Sequence, residues 1–260
     1  MSLTRPRRYW LTGAGNGLGA ALAEQLLKAG VHLALSARTA TPLKALAQNY
    51  PGQVLVLPGD LTNSQTVREI AEQIMDDWGS LDTVILNAGT CEYVEAKQFD
   101  PSFSEHVVRT NLLASSFCID AALPLLRAGT APHLVGIASP LTQLPLPRSD
   151  AKGSAKAGLR QLFESIRIDL APEGIEVTMA SPGTADSLEG ADLADPMPLN
   201  LVAEVTARHI VEELKQRPLQ ITLPSLSMPA LWPLSGGREG VDLVISKPGD
   251  SNSPPADKQP

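Results

Sequence analysis

The residues best suited to chemistry begin at the end of the first apolar run. Arg8 to Thr12 leads straight into Gly13-Ala14-Gly15-Asn16-Gly17-Leu18-Gly19, and Leu18, Leu22 and Leu26 then mark a helical stripe that stops at Gly30. Glycines allow a tight turn and let the backbone approach a pyrophosphate, while the start of a helix offers free N–H groups at its positive dipole end. A glycine turn between strand and helix also occurs as plain structure, but the flanking strand and helix favour a phosphate cradle built from Gly13, Gly15, Asn16, Gly17, Leu18 and Gly19. The second apolar run, Val31 to Ala37, decides which phosphate. An acid at its end would bond a ribose 2′-hydroxyl, but here the chain reads Ser36-Ala37-Arg38. A guanidinium pairs with a 2′-phosphate, so the expected cofactor is NADP(H).

These residues need a scaffold, and the chain supplies an alternation of strands and helices. Further strands are predicted at Val54 to Leu57, Asp82 to Leu86, His133 to Ala138, Ile175 to Ala180 and 220–223. Helical stripes run through Val67, Ile70, Ile74 and Trp78 (ended by Gly79), through 103–127, through Leu159, Leu162, Phe163, Ile166 and Leu170, and through 199–216. This pattern predicts a single α/β domain with a doubly wound, parallel, seven-stranded sheet and helices on both faces, Rossmann-like in design. Ligands then bind beyond the carboxyl ends of the strands, where the strand order reverses. The pattern decays after residue 223. Seven prolines fall between 224 and 260, so the domain is expected over 1–246, with a substrate lid in 188–200 and 224–246 and a disordered tail at 247–260.

Composition narrows the partners. At 260 residues and 43% hydrophobic, the chain can bury one large core, and with only 4% aromatics that core must rest on Ala, Leu and Val. A net charge of -7 argues against nucleic acid. Two cysteines without CxxC spacing exclude a disulfide scaffold. No apolar run approaches the roughly 20 residues of a membrane span, and the short basic start does not read as a leader. A cytoplasmic protein acting on a small molecule is expected.

The TGxxxGxG spacing of Thr12, Gly13, Gly17 and Gly19 resembles that of the short-chain dehydrogenase/reductase family, and later motifs extend the likeness over roughly residues 8–190. Asp60 in Gly59-Asp60-Leu61 is similar to the family's acid that bonds the adenine amine. Asn87-Ala88-Gly89 resembles its NNAG turn beside the adenosine ribose. Asn111, Ser139 and Lys156 match its proton-relay asparagine, catalytic serine and catalytic lysine. Pro182-Gly183-Thr184-Ala185-Asp186-Ser187 resembles its PGxxxT segment, with Ser187 replacing the threonine near the nicotinamide amide. The resemblance implies an oxidoreductase that reduces a carbonyl or oxidises an alcohol. It also implies a homodimer or homotetramer paired through the helices at about 103–127, which carries Phe117 and Cys118, and 152–171.

One position departs from the family pattern. Its tyrosine stands four residues before the lysine and about thirteen after the serine; both counts lead here to Lys152. In the family that tyrosine protonates the nascent alkoxide, the lysine lowers its pKa and bonds the nicotinamide ribose, and the serine holds the carbonyl oxygen. The site therefore reads Asn111, Ser139, Lys152 and Lys156. Lys152 and Lys156 share one helix face. A second ammonium about 5 Å away costs roughly 3 kcal/mol at an effective dielectric of about 20, which draws a lysine toward neutrality and makes it a usable acid. Tyr93, four residues past Gly89, is a second candidate acid. The alternative is a cofactor-binding sensor or regulatory protein without turnover.

Other signals are weaker. Ser149 and Lys152 form an SxxK pair, but no SDN or KTG follows. His32, His106, His133 and His209 lack metal-ligand spacing. Cys91 has no basic neighbour in sequence to activate it and reads as a pocket-rim contact.

Overall fold

Alternating side chains let each strand serve two cores at once. In β1 (Arg8–Thr12) and β2 (His32–Ser36), Leu11, Leu33 and Leu35 face one layer while Trp10 and Ala34 face the other. The first layer is closed by α1 (Gly17–Lys28), α2 (Ala40–Asn49) and α7 (Ala203–Glu213), through Leu22, Leu26, Leu43 and Ile210. The second is closed by α3 (Ser64–Trp78), α5 (Ala114–Arg127) and α6 (Asp150–Leu170), through Val67, Ile74, Leu125 and Phe163. These elements come from a computed structural model that describes residues 5–90, 100–138, 150–182 and 203–222.

The remaining strands are β3 (Val54–Val56), β4 (Thr83–Leu86), β5 (His133–Ile137), β6 (Glu176–Ser181) and β7 (Gln220–Thr222). All pair in parallel, in the order β3-β2-β1-β4-β5-β6-β7. Crossovers after β1 run one way across the sheet and those after β4 the other, so a crevice opens between the ends of β1 and β4. The doubly wound architecture expected from the sequence is present.

Local chemistry sets the helix ends. The Asn63 side chain accepts the Gln65 and Thr66 N–H groups at 2.9 and 3.4 Å and caps α3, which stops at Gly79 with φ 72°. Asp100 accepts the Ser102 N–H at 2.9 Å and caps α4 (Pro101–Val108), whose first residue is a proline. The single helix expected over 103–127 proves to be α4 and α5 joined by a π-helical turn at Arg109–Leu113. Such a turn fits one extra residue into a helix. Within it, Asn111 Nδ2 donates to the Val107 carbonyl at 3.1 Å.

The amino-terminal end of the sheet is sewn together by a buried acid. Asp82 is 2% exposed. Its carboxylate accepts from Arg5 Nη2 at 2.9 Å, the Arg8 N–H at 2.9 Å and the Thr130 N–H at 2.8 Å. Arg7 and Arg217 donate to the Ala131 carbonyl, at 3.2 and 2.6 Å. Nearby, Thr178 Oγ1 donates to the Pro218 carbonyl at 2.6 Å and so accepts from His133 Nε2 at 2.8 Å. Burial, with Arg217 and Arg7 adding to it, pushes the His133 pKa down to about 3.

Cys118 lies in the core at 1% exposure, and Phe117 is half-buried against the same cluster. Both residues marked for a subunit contact therefore pack inward. Burial pushes the Cys118 thiol up to about 12, which makes it inert. The segments read as lid and tail, and Tyr93, Cys91 and Ser149, lie outside the described residues.

Candidate cofactor and active site

The glycine loop sits at the crevice because β1 and β4 are clasped at their carboxyl ends. Thr12 Oγ1 accepts the Asn87 and Ala88 N–H groups at 3.0 and 3.1 Å. Asn87 Nδ2 donates in return to the Thr12 and Gly13 carbonyls at 3.3 and 3.1 Å. The approach leaves no room for side chains. A Cβ on Gly19 would lie 1.9 Å from the Gly13 oxygen, and one on Gly13, whose φ is +68°, would lie 2.8 Å from Ala88 Cα.

The loop opens into α1, and among the described residues no partner takes its first-turn donors. Ala20 N–H is the first to bond back, to the Asn16 carbonyl at 3.1 Å, so the first-turn N–H groups before it point out of the helix. Asn16 is the N-cap residue, yet its exposed side chain makes no capping bond. Leu18 packs against the core and fixes the turn from below.

The ends of β2 and β3 border the same crevice. A Cβ on Gly15 would lie 3.1 Å from Ala37 Cβ, which places the loop against the residue before Arg38. Arg38 is exposed, and among the described residues it makes no ion pair or side-chain hydrogen bond. Asp60 is exposed; its Oδ1 accepts from the Thr62 N–H and Oγ1 at 2.9 and 2.8 Å, which fixes the carboxylate in a turn. Leu61 is buried and anchors that turn.

A second group gathers beyond β4 and β5. Asn111 is fully buried in the π turn, and its Oδ1 accepts the Thr90 N–H at 3.3 Å. Lys156 is 7% exposed and donates from Nζ to the Ile137 carbonyl at 3.2 Å. Gly89 lies between them: a Cβ there would be 2.6 Å from Asn111 Oδ1 and 3.3 Å from Lys156 Nζ. Lys152, one turn earlier on α6, is also 7% exposed. Pro182 is buried just past β6; Ser139, Gly183 and Ser187 lie outside the described residues.

The structure thus brings Gly13 to Gly19, Asn87 to Gly89, Asn111 and Lys156 to one side of the sheet, with Arg38 and Asp60 at the rim. His133 belongs to the opposite end of its strand. No group of His, Cys, Asp and Glu among the described residues could hold a metal, and no described helix is long and apolar enough to cross a membrane. Sequence reasoning noticed Thr12 only as the start of the glycine pattern. Its hydroxyl clasps the two central strands, a role that a threonine ending a strand beside a glycine turn can signal.

Comparison with known proteins bears on the family and the fold. The family model for short chain dehydrogenases matches residues 9–195. An uncharacterized oxidoreductase of Mycobacterium tuberculosis is 32% identical over 224 residues, covering 84% of this chain and 88% of that protein. An 11-beta-hydroxysteroid dehydrogenase-like protein of Arabidopsis thaliana is 30% identical over 182 residues, 68% of this chain; the match spans 58% of the plant protein's length. Among solved structures, the active-site complex of Pseudomonas aeruginosa RhlG with NADP superposes with a TM-score of 0.76, at 25% identity over 84% of this chain and 94% of that one.

Proposed function

The chain belongs to the short-chain dehydrogenase family of oxidoreductases, and from that premise we propose that it is an NADP(H)-dependent enzyme interconverting a small carbonyl compound and its alcohol, with Lys152 as the proton donor. Its residues fit the cofactor. The outward first-turn N–H groups at Gly17, Leu18 and Gly19, with Asn16, Gly13 and Gly15, suit the pyrophosphate. Arg38 suits the 2′-phosphate, and the RhlG complex with NADP is consistent with that choice. Asp60 and Leu61 would bound the adenine, and Asn87, Ala88 and Gly89 the adenosine ribose. Pro182, Gly183 and Ser187 would border the nicotinamide. The bound cofactor supplies the hydride.

This chain's own part is positioning and proton transfer. Ser139 would hold the carbonyl oxygen. Lys152 would give its proton to the alkoxide as it forms, and Lys156 would hold the nicotinamide ribose and disfavour charge on Lys152. Asn111 would return protons from solvent. The observation that best supports the reading is the meeting of Asn111, Gly89 and Lys156 beside the open start of α1.

The test is NADPH oxidation across a panel of aldehydes and ketones. Turnover by the parent, lost in Lys152→Met with NADPH affinity kept, supports lysine as the acid. An inactive parent that gains about tenfold or more as Lys152→Tyr would instead favour a cofactor-binding protein whose pocket still suits reduction. Inactivity of the parent and both variants would end the oxidoreductase reading. We further propose a two-fold homodimer or tetramer through the outer faces of α4–α5 and α6, where Leu113 and Ile168 are 37% and 75% exposed. Light scattering that returned a 27.5 kDa monomer at micromolar concentration would refute it.

A further inference from the structure

We propose that Asn16-Gly17 is a self-modification site, where the Gly17 amide nitrogen attacks the Asn16 carboxamide, and that bound cofactor holds the reaction off; the second half rests on the NADP(H) reading above. No other asparagine of the chain is followed by glycine. Two brakes slow such an attack in a folded protein: a carboxamide held by hydrogen bonds, and a following nitrogen that already donates one. Every other described asparagine has at least one of them. The Asn63 side chain accepts two N–H groups, at 2.9 and 3.4 Å, and the Asn111 side chain bonds Thr90 and Val107. The nitrogen after Asn49, that of Tyr50, donates to the Leu46 carbonyl at 3.0 Å, and the nitrogen after Asn87, that of Ala88, donates to Thr12 Oγ1 at 3.1 Å. Among the described residues Asn16 alone has neither brake. Its side chain is exposed and makes no capping bond. The Gly17 N–H opens α1, where no turn of helix precedes it to accept, and no described backbone group takes it. Gly17 also brings no Cβ to obstruct the approach, and its φ of 50° lies where only glycine moves freely.

The chemistry balances with water as the one co-reactant. The Gly17 nitrogen gives up its proton and attacks Asn16 Cγ. A C–N bond forms, the Cγ–Nδ2 bond breaks, and Nδ2 takes the proton and leaves as ammonia. Water then opens the five-membered succinimide at either carbonyl, giving aspartate or isoaspartate, with nothing oxidised or reduced. Both products put a carboxylate at the N-cap of α1. That position suits the helix, which favours an acid at its positive end, but sets like charge against a pyrophosphate. Isoaspartate also lengthens the main chain, in a loop where a Cβ on Gly19 would already lie 1.9 Å from the Gly13 oxygen. A phosphate that accepts the Gly17 N–H supplies the missing brake. The chain therefore loses cofactor capacity during the time it spends empty.

Timed peptide mass spectrometry tests this. Fresh protein is aged at pH 8 with and without saturating NADPH. The tryptic peptide Tyr9–Lys28 is followed for exchange of the Asn16 amide for an acid, beside the peptides that carry Asn49 and Asn63, which are also exposed. Empty protein should convert Asn16 at least tenfold faster than either control, and NADPH should slow that conversion by tenfold or more. NADPH affinity should fall by tenfold or more in step with conversion while the melting temperature holds. Fresh Asn16→Asp should show the same loss at once. Asn16→Gln, which would have to close a larger ring, should keep through ageing whatever affinity it starts with. Equal rates at Asn16, Asn49 and Asn63 overturn the proposal, as does affinity that survives full conversion, or conversion that NADPH bound to the fresh protein does not slow. Fresh protein that binds no NADPH sinks the cofactor reading and the protection together, while the mass measurement still decides the reaction at Asn16.

Discussion

The two ends of the sheet use the same kinds of side chain in opposite ways. At the amino-terminal end, Arg5, Arg7, Arg8, Arg217, Asp82 and His133 are all bonded to protein partners. At the carboxyl end, among the described residues, Arg38 has no protein partner, Asn16 caps nothing and the first turn of α1 keeps its N–H groups open. Satisfied polar groups stabilise, whereas open ones await a ligand. Residue type alone does not separate an arginine bonded into the fold from one left open at the crevice; its partners do.

The sharpest way to break the comparison is at Asp82. Asp82→Ala would leave Arg5 and the Arg8 and Thr130 N–H groups without their acceptor, and should cost about 3–5 kcal/mol of stability in urea unfolding. NADPH affinity of the folded fraction should not change. A loss under 1 kcal/mol would show that the amino-terminal end is not the structural one.

His133 comes next, through pH. Its folded pKa of about 3 lies below its ordinary 6.5. Between those values only the unfolded chain takes up the proton, so stability falls as pH drops through that window, by at most about 1.4 kcal/mol per unit, and is untouched above it. Unfolding midpoints at pH 5, 6 and 7 should show the slope, and His133→Gln should flatten it.

At the open end, Arg38→Ala should weaken NADPH by tenfold or more, about 1.4 kcal/mol, with NADH and melting temperature unchanged. Fluorescence titration of both cofactors checks it. The smallest effects come from two caps. Asn63→Ala should cost about 1 kcal/mol, because its side chain accepts two N–H groups. Asn16→Ala should fall within about 0.5 kcal/mol in thermal melts, because its side chain accepts none.

What could be read in the sequence was local. Strands such as His133–Ile137 are apolar runs bounded by polar residues, and the glycine loop is contiguous. The helix Ala40–Asn49 escaped notice because Leu43 is its one buried residue and gives no stripe. The π turn escaped because one extra residue in a helix shifts the phase without changing composition. The Asp82 clasp joins residues 74 to 77 positions apart on one side and 48 on the other, which periodicity does not reach. The candidate site was legible where motifs are short and contiguous. The meeting of Gly89, Asn111 and Lys156 required the folded chain.

The pairing of β1 with β4 sets a timetable for the protein's birth. Tyr9 and Thr83 are register partners, so the crevice between those strands does not exist until both have left the ribosome. Closing so long a loop is an entropic barrier that slows folding, and parallel pairing offers few local contacts to offset it. A nascent chain stalled before β4 carries the whole glycine motif yet has no floor for a dinucleotide. Cofactor capture on stalled ribosomes should therefore switch on only after β4 and the clasp at Asn87 have emerged, and α5 and α6 of the second layer follow later still.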